Sequence, residues 1–269
     1  MDERGDTALI LAVIAGSNGA ATSLLKDPSI DVDAKAEDGL TALMHAAKTG
    51  NEAIADLITD IGVADINAKD NAGNTALMYA VSNGSVDIAS LLIEKGADIS
   101  AKDVDGYTAL MIAASNGYGQ LSNILLDNGT DIDAQNGKGE TALSQAASYG
   151  EVDAVDLLIK KGADVNKSNL EGETALHIAI KEDYSDVATL LVNAGADLSK
   201  QDGHLGYTAL MWAVKRGNTD VVALLLKNNA DLKIKDKRGR TVWRIAHGKR
   251  NKEILALLGA AKISLVEEV

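Results

Sequence analysis

Apolar residues recur along this chain in short helical stretches that return at a nearly constant interval. A Thr-Ala-Leu triplet begins at Thr7, Thr41, Thr75, Thr108, Thr141, Thr174 and Thr208, and Thr-Val-Trp stands at Thr241, so successive starts lie 33 or 34 residues apart. After each Thr the apolar positions follow a helical period, as in Ala109, Leu110, Ala113 and Ala114, and the Thr hydroxyl is placed to accept from a first-turn N–H. A Gly two residues earlier, such as Gly106 before Thr108, supplies the positive φ of a tight turn. A second Gly, at positions 50, 84, 117, 150 and 217, ends the short helix, and a more amphipathic one follows, for example Val86, Ile88, Ala89, Leu91, Leu92 and Ile93. That helix closes on Gly96-Ala97-Asp98. Each unit therefore reads as turn, helix, turn, helix and extended connector. A unit this small cannot bury its apolar faces alone, so neighbours are expected to stack into one array.

The segments Lys160-Lys161-Gly162-Ala163-Asp164-Val165-Asn166 and Gly172-Glu173-Thr174-Ala175-Leu176-His177, with their counterparts in the other units, carry a resemblance to the ankyrin-repeat family over nearly the whole chain. The resemblance implies an all-α ankyrin-repeat solenoid of about eight helix-turn-helix units joined by β-hairpin-like loops. Units are expected near 1–36, 37–69, 70–102, 103–135, 136–168, 169–201, 202–235 and 236–262, with 263–269 as a C-terminal tail and all of 1–269 as a single domain. The family's Pro after the capping Thr is Ala at positions 8, 42, 76, 109, 142, 175 and 209, which keeps helix propensity but loses the preset φ. The family's His survives as His177, while Met44, Met78, Met111 and Met211 replace it elsewhere. Asp183 stands where other units have the helix-ending Gly, which makes the sixth unit a candidate for altered helix-to-helix geometry.

Composition narrows the chemistry. With 46% hydrophobic residues the chain falls among globular proteins, and with no Phe, one Pro and 3% aromatics its core is expected to consist of Ala, Leu, Ile and Val. No Cys is present, which removes disulfides and thiolate chemistry and leaves the redox compartment open. The longest apolar run, Ala8 to Gly16, is too short to span a membrane, and Asp2 and Glu3 do not suit a signal-peptide start. The first helix (Leu9, Ile10, Leu11, Val13, Ile14) is apolar nearly all round. That face points to a preceding segment removed on export, with another covering element as the alternative, so the compartment leans to an exported or periplasmic processed form. The last unit, by contrast, carries the polar outer face of a cap in Arg244, Lys249, Arg250 and Lys252.

Net charge is −13, yet Lys200 to Lys252 holds 13 basic against 4 acidic residues while the remainder holds 13 against 35. The acidic excess opposes loose binding to nucleic acid or anionic lipid. Lys233, Lys235, Lys237, Arg238 and Arg240 crowd one hairpin and keep a nucleic-acid reading as the alternative, although no aromatics are interleaved there. A structural spacer is the third reading. Four His, at 45, 177, 204 and 247, form neither a nucleophile triad nor a zinc spacing, and His204 with Asp202 falls short of a metal site. The Asp residues at 98, 131, 164, 197 and 231 recur in every unit and are read as turn chemistry, and Asp131-x-Asp133 lacks the following ligands of a calcium loop. Neither an enzyme, a cofactor, a metal nor a small-molecule substrate is expected.

What remains is recognition, and the ankyrin resemblance places it on the hairpin tips and the exposed side of the first helices. Positions there vary between units. The candidate partner-binding residues are Tyr79, Tyr107, Ile112, Asn116, Tyr149, His204, Leu205, Tyr207, Trp212, Lys215 and Arg240, with the aromatic side chains as anchors. The alternative for each aromatic is packing between adjacent units, most of all for Trp243 in the Leu place of its triplet. One tip is longer: Asp197 to Gly206 spans nine residues where the other units span eight, and the extra residue falls within Gln201-Asp202-Gly203-His204-Leu205. The expected function is binding of a folded protein partner of complementary charge polarity, with occlusion of that partner's active site. The protein is expected to be monomeric when alone.

Overall fold

A computed structural model describes residues 5–267, with side chains described as far as Ala261. Asp2 and Glu3 lie outside the described residues. The chain divides into two compact units, residues 1–137 and 138–269. The N-terminal unit contains α1 (Ala8–Ile14), α2 (Asn18–Leu25), α3 (Ala42–Thr49), α4 (Glu52–Asp60), α5 (Ala76–Ser82), α6 (Val86–Glu94), α7 (Ala109–Ser115) and α8 (Gly119–Asp127). The C-terminal unit contains α9 (Ala142–Tyr149), α10 (Val152–Lys160), α11 (Ala175–Lys181), α12 (Ser185–Asn193), α13 (Ala209–Arg216), α14 (Thr219–Lys227), α15 (Val242–Lys249) and α16 (Lys252–Glu267). In both, each odd-numbered helix packs on the following even-numbered one, and odd helices stack on odd, even on even.

The helices begin where the capping Thr predicts. Thr7, Thr41, Thr75, Thr108, Thr141 and Thr208 are extended and accept from the N–H of the third helical residue. Each such cap contributes about 1 kcal/mol. They end on left-handed residues: Gly50, Gly150 and Gly217 are C-caps. Asp183 takes the same conformation, with φ 68 beside Gly117 at φ 68, so the missing Gly leaves that turn unaltered. Its carboxylate accepts from Asn218 Nδ2 at 2.8 Å. The core is aliphatic as composition requires, with Leu77, Leu110, Met111 and Leu121 fully buried in one unit and Leu143, Leu158, Leu176 and Leu225 in the other. The four Met that replace His are buried in the same way. Helix α1 buries Leu9, Ile10, Ala12 and Val13 and leaves Ala8, Leu11 and Ile14 exposed, so its outward side is apolar as well. At the other end α16 continues beyond 262 into the expected tail.

The loops are hairpin tips without strands among the described residues. One antiparallel bridge joins Ser168 to Thr174. Six tips are closed by a backbone bond, as from Asp103 N–H to the Tyr107 carbonyl, and N–H groups are handed from one tip to the tip before it: Asn71 to Asp38, Val104 to Ala72 and Gly137 to Asp105 in the N-terminal unit, Leu170 to Lys138, Gly203 to Glu171 and Lys237 to Leu205 in the C-terminal one. The tips therefore approach closely. A Cβ on Gly106 (φ 84) would stand 2.7 Å from the Gly137 nitrogen, whereas on Gly96 (φ 91) it would meet nothing within 4 Å. Gly106→Ala is expected to destabilise the protein by about 1–3 kcal/mol and Gly96→Ala by only about 1 kcal/mol, from the backbone alone. Urea unfolding of the two variants measures the difference, and equal losses exclude tip packing as the cause.

Candidate functional site

The expected turn chemistry is present. Asp98, Asp131, Asp164, Asp197 and Asp231 each accept from the N–H two residues on. A second acceptor series sits inside the tips. Asp70, Asp103, Asn169 and Asp236 each take two N–H groups of their own tip on one oxygen. In the aspartates the other oxygen can take a further donor, from the following helix at Asp70 and from the same tip at Asp236. Tyr79 Oη reaches Asp70 at 2.6 Å and the Arg240 guanidinium reaches Asp236 at 2.7 Å.

The lengthened tip takes this arrangement furthest. Asp202, only 2% exposed, accepts from the N–H groups of Leu205 (2.6 Å), Gly206 (3.0 Å) and Tyr207 (3.2 Å), and from the Trp212 indole N–H at 2.7 Å. Burial alone would raise the Asp202 pKa, but these bonds together outweigh it and hold the carboxyl below the usual range. Trp212 on α13 meets Tyr207 edge to face, 5.3 Å between ring centroids at 62°. Ammonium groups lie over the rings. Lys215 Nζ is 4.2 Å from the Trp212 centroid and 5.4 Å from that of Tyr207, and Lys181 Nζ is 5.3 Å from Trp212. Arg240 donates to Tyr207 Oη at 2.9 Å. Lys181 also pairs with buried Glu173 at 2.6 Å.

The remaining His of the family position explains how this tip is held. His177, 1% exposed, accepts from the Thr174 N–H at Nδ1 and reaches the Tyr207 carbonyl with Nε2 at 3.2 Å. Burial pushes its pKa down despite nearby Asp202, so the neutral ring, protonated at Nε2, ties α11 to the next tip. That is a structural role. His204 is exposed and does not converge with the buried, fully engaged Asp202. No cluster able to hold a metal ion occurs among the described residues.

The predicted contact residues fall into different environments. In the N-terminal unit Tyr79, Tyr107 and Ile112 are half-buried and Asn116 is exposed. Lys48 lies 5.5 Å over the Tyr79 ring. In the C-terminal unit Tyr149 is 60% exposed, His204 is exposed, and Leu205, Trp212, Lys215 and Arg240 are half-buried. Tyr207 departs from its expected place as an exposed anchor: at 4% exposure it is a packing residue beneath Lys215 and Arg240. Trp243 is half-buried. Two participants went unpredicted, Lys181 and Asp202. Both were legible by register: Lys181 occupies the place of Lys48 and Lys215 relative to its Thr, and Asp202 the place of Asp70 and Asp236 in its tip.

Stacked helical hairpins joined by hydrogen-bonded tips define a helical repeat protein. The ankyrin-repeat family model, of three copies per match, fits residues 1–70, 61–136, 110–202 and 195–266. The chain belongs to the ankyrin-repeat family. Among solved structures it is similar to the ankyrin repeat domain of Bcl-3, a member of the IkappaB protein family, at 31% identity and a TM-score of 0.72 over 83% of this chain and 99% of that one. It is likewise similar to the human ASB11 ankyrin repeat domain, at 26% identity and a TM-score of 0.75 over 84% of this chain and 99% of that one. No curated protein matches the sequence. Ankyrin repeats generally mediate protein–protein interaction and are typically non-catalytic. No helix among the described residues is long and apolar enough to cross a membrane.

Because the Asp202 pKa is depressed in the fold, its contribution to stability is complete above the unfolded carboxyl pKa of about 4 and is lost as pH falls through the lower folded value. Asp202→Asn is expected to lower stability at neutral pH and to shallow the decline below about pH 4. Urea midpoints measured from neutral to acid pH test this. An acid decline as steep as in the parent chain removes Asp202 from that role.

Proposed function

We propose that this protein is a non-catalytic binder that holds one folded protein partner against the exposed side of its first helices and its hairpin tips, and regulates or shields that partner by covering its active site. The observation that carries the reading is the Trp212 site. An aromatic ring is fixed by a buried carboxylate and dressed with ammonium groups, which gives a rigid, partly exposed contact with few torsions left to immobilise. Tyr149, Asn116 and Tyr79 extend the same kind of surface within their own units, with His204, Leu205 and Arg240 at the tips. Charge supports orientation as well. Residues 1–137 carry 7 basic and 21 acidic side chains, residues 138–269 carry 19 and 18, and such a contrast favours a partner of opposite polarity and speeds encounter at low salt. The chain acts as a monomer in this reading.

The test is affinity capture from the native source with the full chain as bait, comparing Trp212→Ala with Tyr149→Ala together against Thr189→Ala on α12. A partner retained by the parent and the α12 variant, and reduced about tenfold by the double variant, is the expected result for hot-spot residues. Equal recovery on all three baits places the contact on another face. Where the captured protein is an enzyme, its rate in the presence of excess chain decides occlusion: an unchanged rate removes the shielding role.

A further inference from the structure

The ring arrangement occurs twice, with opposite surroundings. In the N-terminal unit a Lys in the last turn of α3 overlies the ring four residues after the next capping Thr, Lys48 on Tyr79, and the ring's polar edge is held by the tip carboxylate of Asp70. In the C-terminal unit Lys181 overlies Trp212 in the same register, and Asp202 holds the indole. Around Tyr79 there are two carboxylates, Asp70 and Asp38, which with burial push its pKa up. Trp212 is instead attended by Lys181, Lys215 and Arg240, with Lys249 near enough to Lys215 to oppose its charge.

The carboxylates that accompany these cations are buried and their acceptors are engaged. Asp202 serves three tip amides and the indole, Asp236 serves two amides and the Arg240 guanidinium, and Glu173 serves Lys181. Lys215 makes no ion pair among the described residues. Its ammonium is pushed towards the neutral form by burial first and then by Lys249, with Lys181 and Arg240 acting the same way against Asp202. The rim of the site thus carries two ammonium groups, Lys215 and Lys249, that make no ion pair among the described residues, beside Lys181 paired with Glu173 and Arg240 paired with Asp236. An anionic group laid against Lys215 and Lys249 gains charge-assisted hydrogen bonds without displacing an ion-pair partner.

Resting on the binding reading above, we propose that the Trp212 site receives a carboxylate-bearing segment of a protein, a short run of Glu or Asp side chains held by Lys215 and Lys249 beside the ring pair, in the positive field to which Lys181 and Arg240 add. The ring geometry favours a carboxylate segment over nucleic acid. Base stacking needs an open aromatic face, but the Trp212 ring already carries two ammonium groups and Tyr207 is buried. The N-terminal ring, one Lys beside two carboxylates, lacks the field to compete for the same ligand.

Dye-labelled hexaglutamate, hexalysine and oligothymidylate are titrated with the full chain by fluorescence anisotropy. The expected result is saturable binding of hexaglutamate, weakened about tenfold or more by Lys215→Glu and by Lys249→Glu, and within about twofold of the parent for Lys227→Glu, an equal charge change on α14, while neither Lys215→Glu nor Lys249→Glu weakens whatever hexalysine binds to the acidic residues elsewhere. Lys249 is exposed, so its variant reports on the site even where Lys215→Glu disturbs packing. Absence of hexaglutamate binding, equal losses in the α14 variant, or tighter binding of oligothymidylate overturns the proposal. Partner capture that persists without hexaglutamate binding discards the carboxylate class alone and leaves the folded-partner reading standing. Hexaglutamate binding without any captured partner does the reverse.

Discussion

The structure depends on an acceptor side chain at the base of five hairpin tips, buried at Asp70, Asp202 and Asp236 and half-buried at Asp103 and Asn169. A tight tip turns several amide N–H groups inward, where water is scarce and an unmade hydrogen bond costs on the order of 1–3 kcal/mol. Asp70, Asp103, Asn169, Asp202 and Asp236 meet those amides with a single side chain. A tip closed in this way presents its own carbonyl at a fixed place, and the next tip donates to it. Register along each stack follows from that contact as much as from the apolar helix faces. Where the acceptor is a carboxylate its second oxygen can recruit Tyr79, Trp212 or Arg240, so the recognition chemistry is an outgrowth of the structural one.

The two means of joining neighbours share the work. Where the family's imidazole is kept, His177 bridges the Thr174 cap to the Tyr207 carbonyl. Where Met takes its place the position is apolar and buried, and long side chains at the tip bases span the gap instead: Lys35, Lys69 and Lys102 each donate to the carbonyl one repeat on. Gln201 does the same towards Lys235. Such bonds are local to adjacent repeats, as nearest-neighbour stacking requires.

The repeat period, the helix starts and the turns were legible because each is set by chemistry within a few residues: a Thr hydroxyl at a helix start, a Gly at a positive φ. That Trp212 and Lys215 fall on a half-buried side of a first helix, and Arg240 at a tip, was legible for the same reason. Depth was not. Tyr207 occupies a variable position, yet Lys215 and Arg240 close over it, and neither is its sequence neighbour. Lys181 looks like an ordinary solvated charge until Trp212, in the next repeat, is seen beneath it. Asp202 was read with His204, two residues away, when its partner is the indole ten residues on. Asp183 shows the converse limit: a non-Gly residue in a Gly place need not change the backbone when Asn218 rewards it.

Each ring site is completed by elements from two successive repeats: a Lys from one, and from the next a tip carboxylate and the ring it fixes. Evolution can therefore duplicate, delete or retune such a module by exchanging a short cassette of sequence, while the remaining hairpins go on serving as inert scaffold.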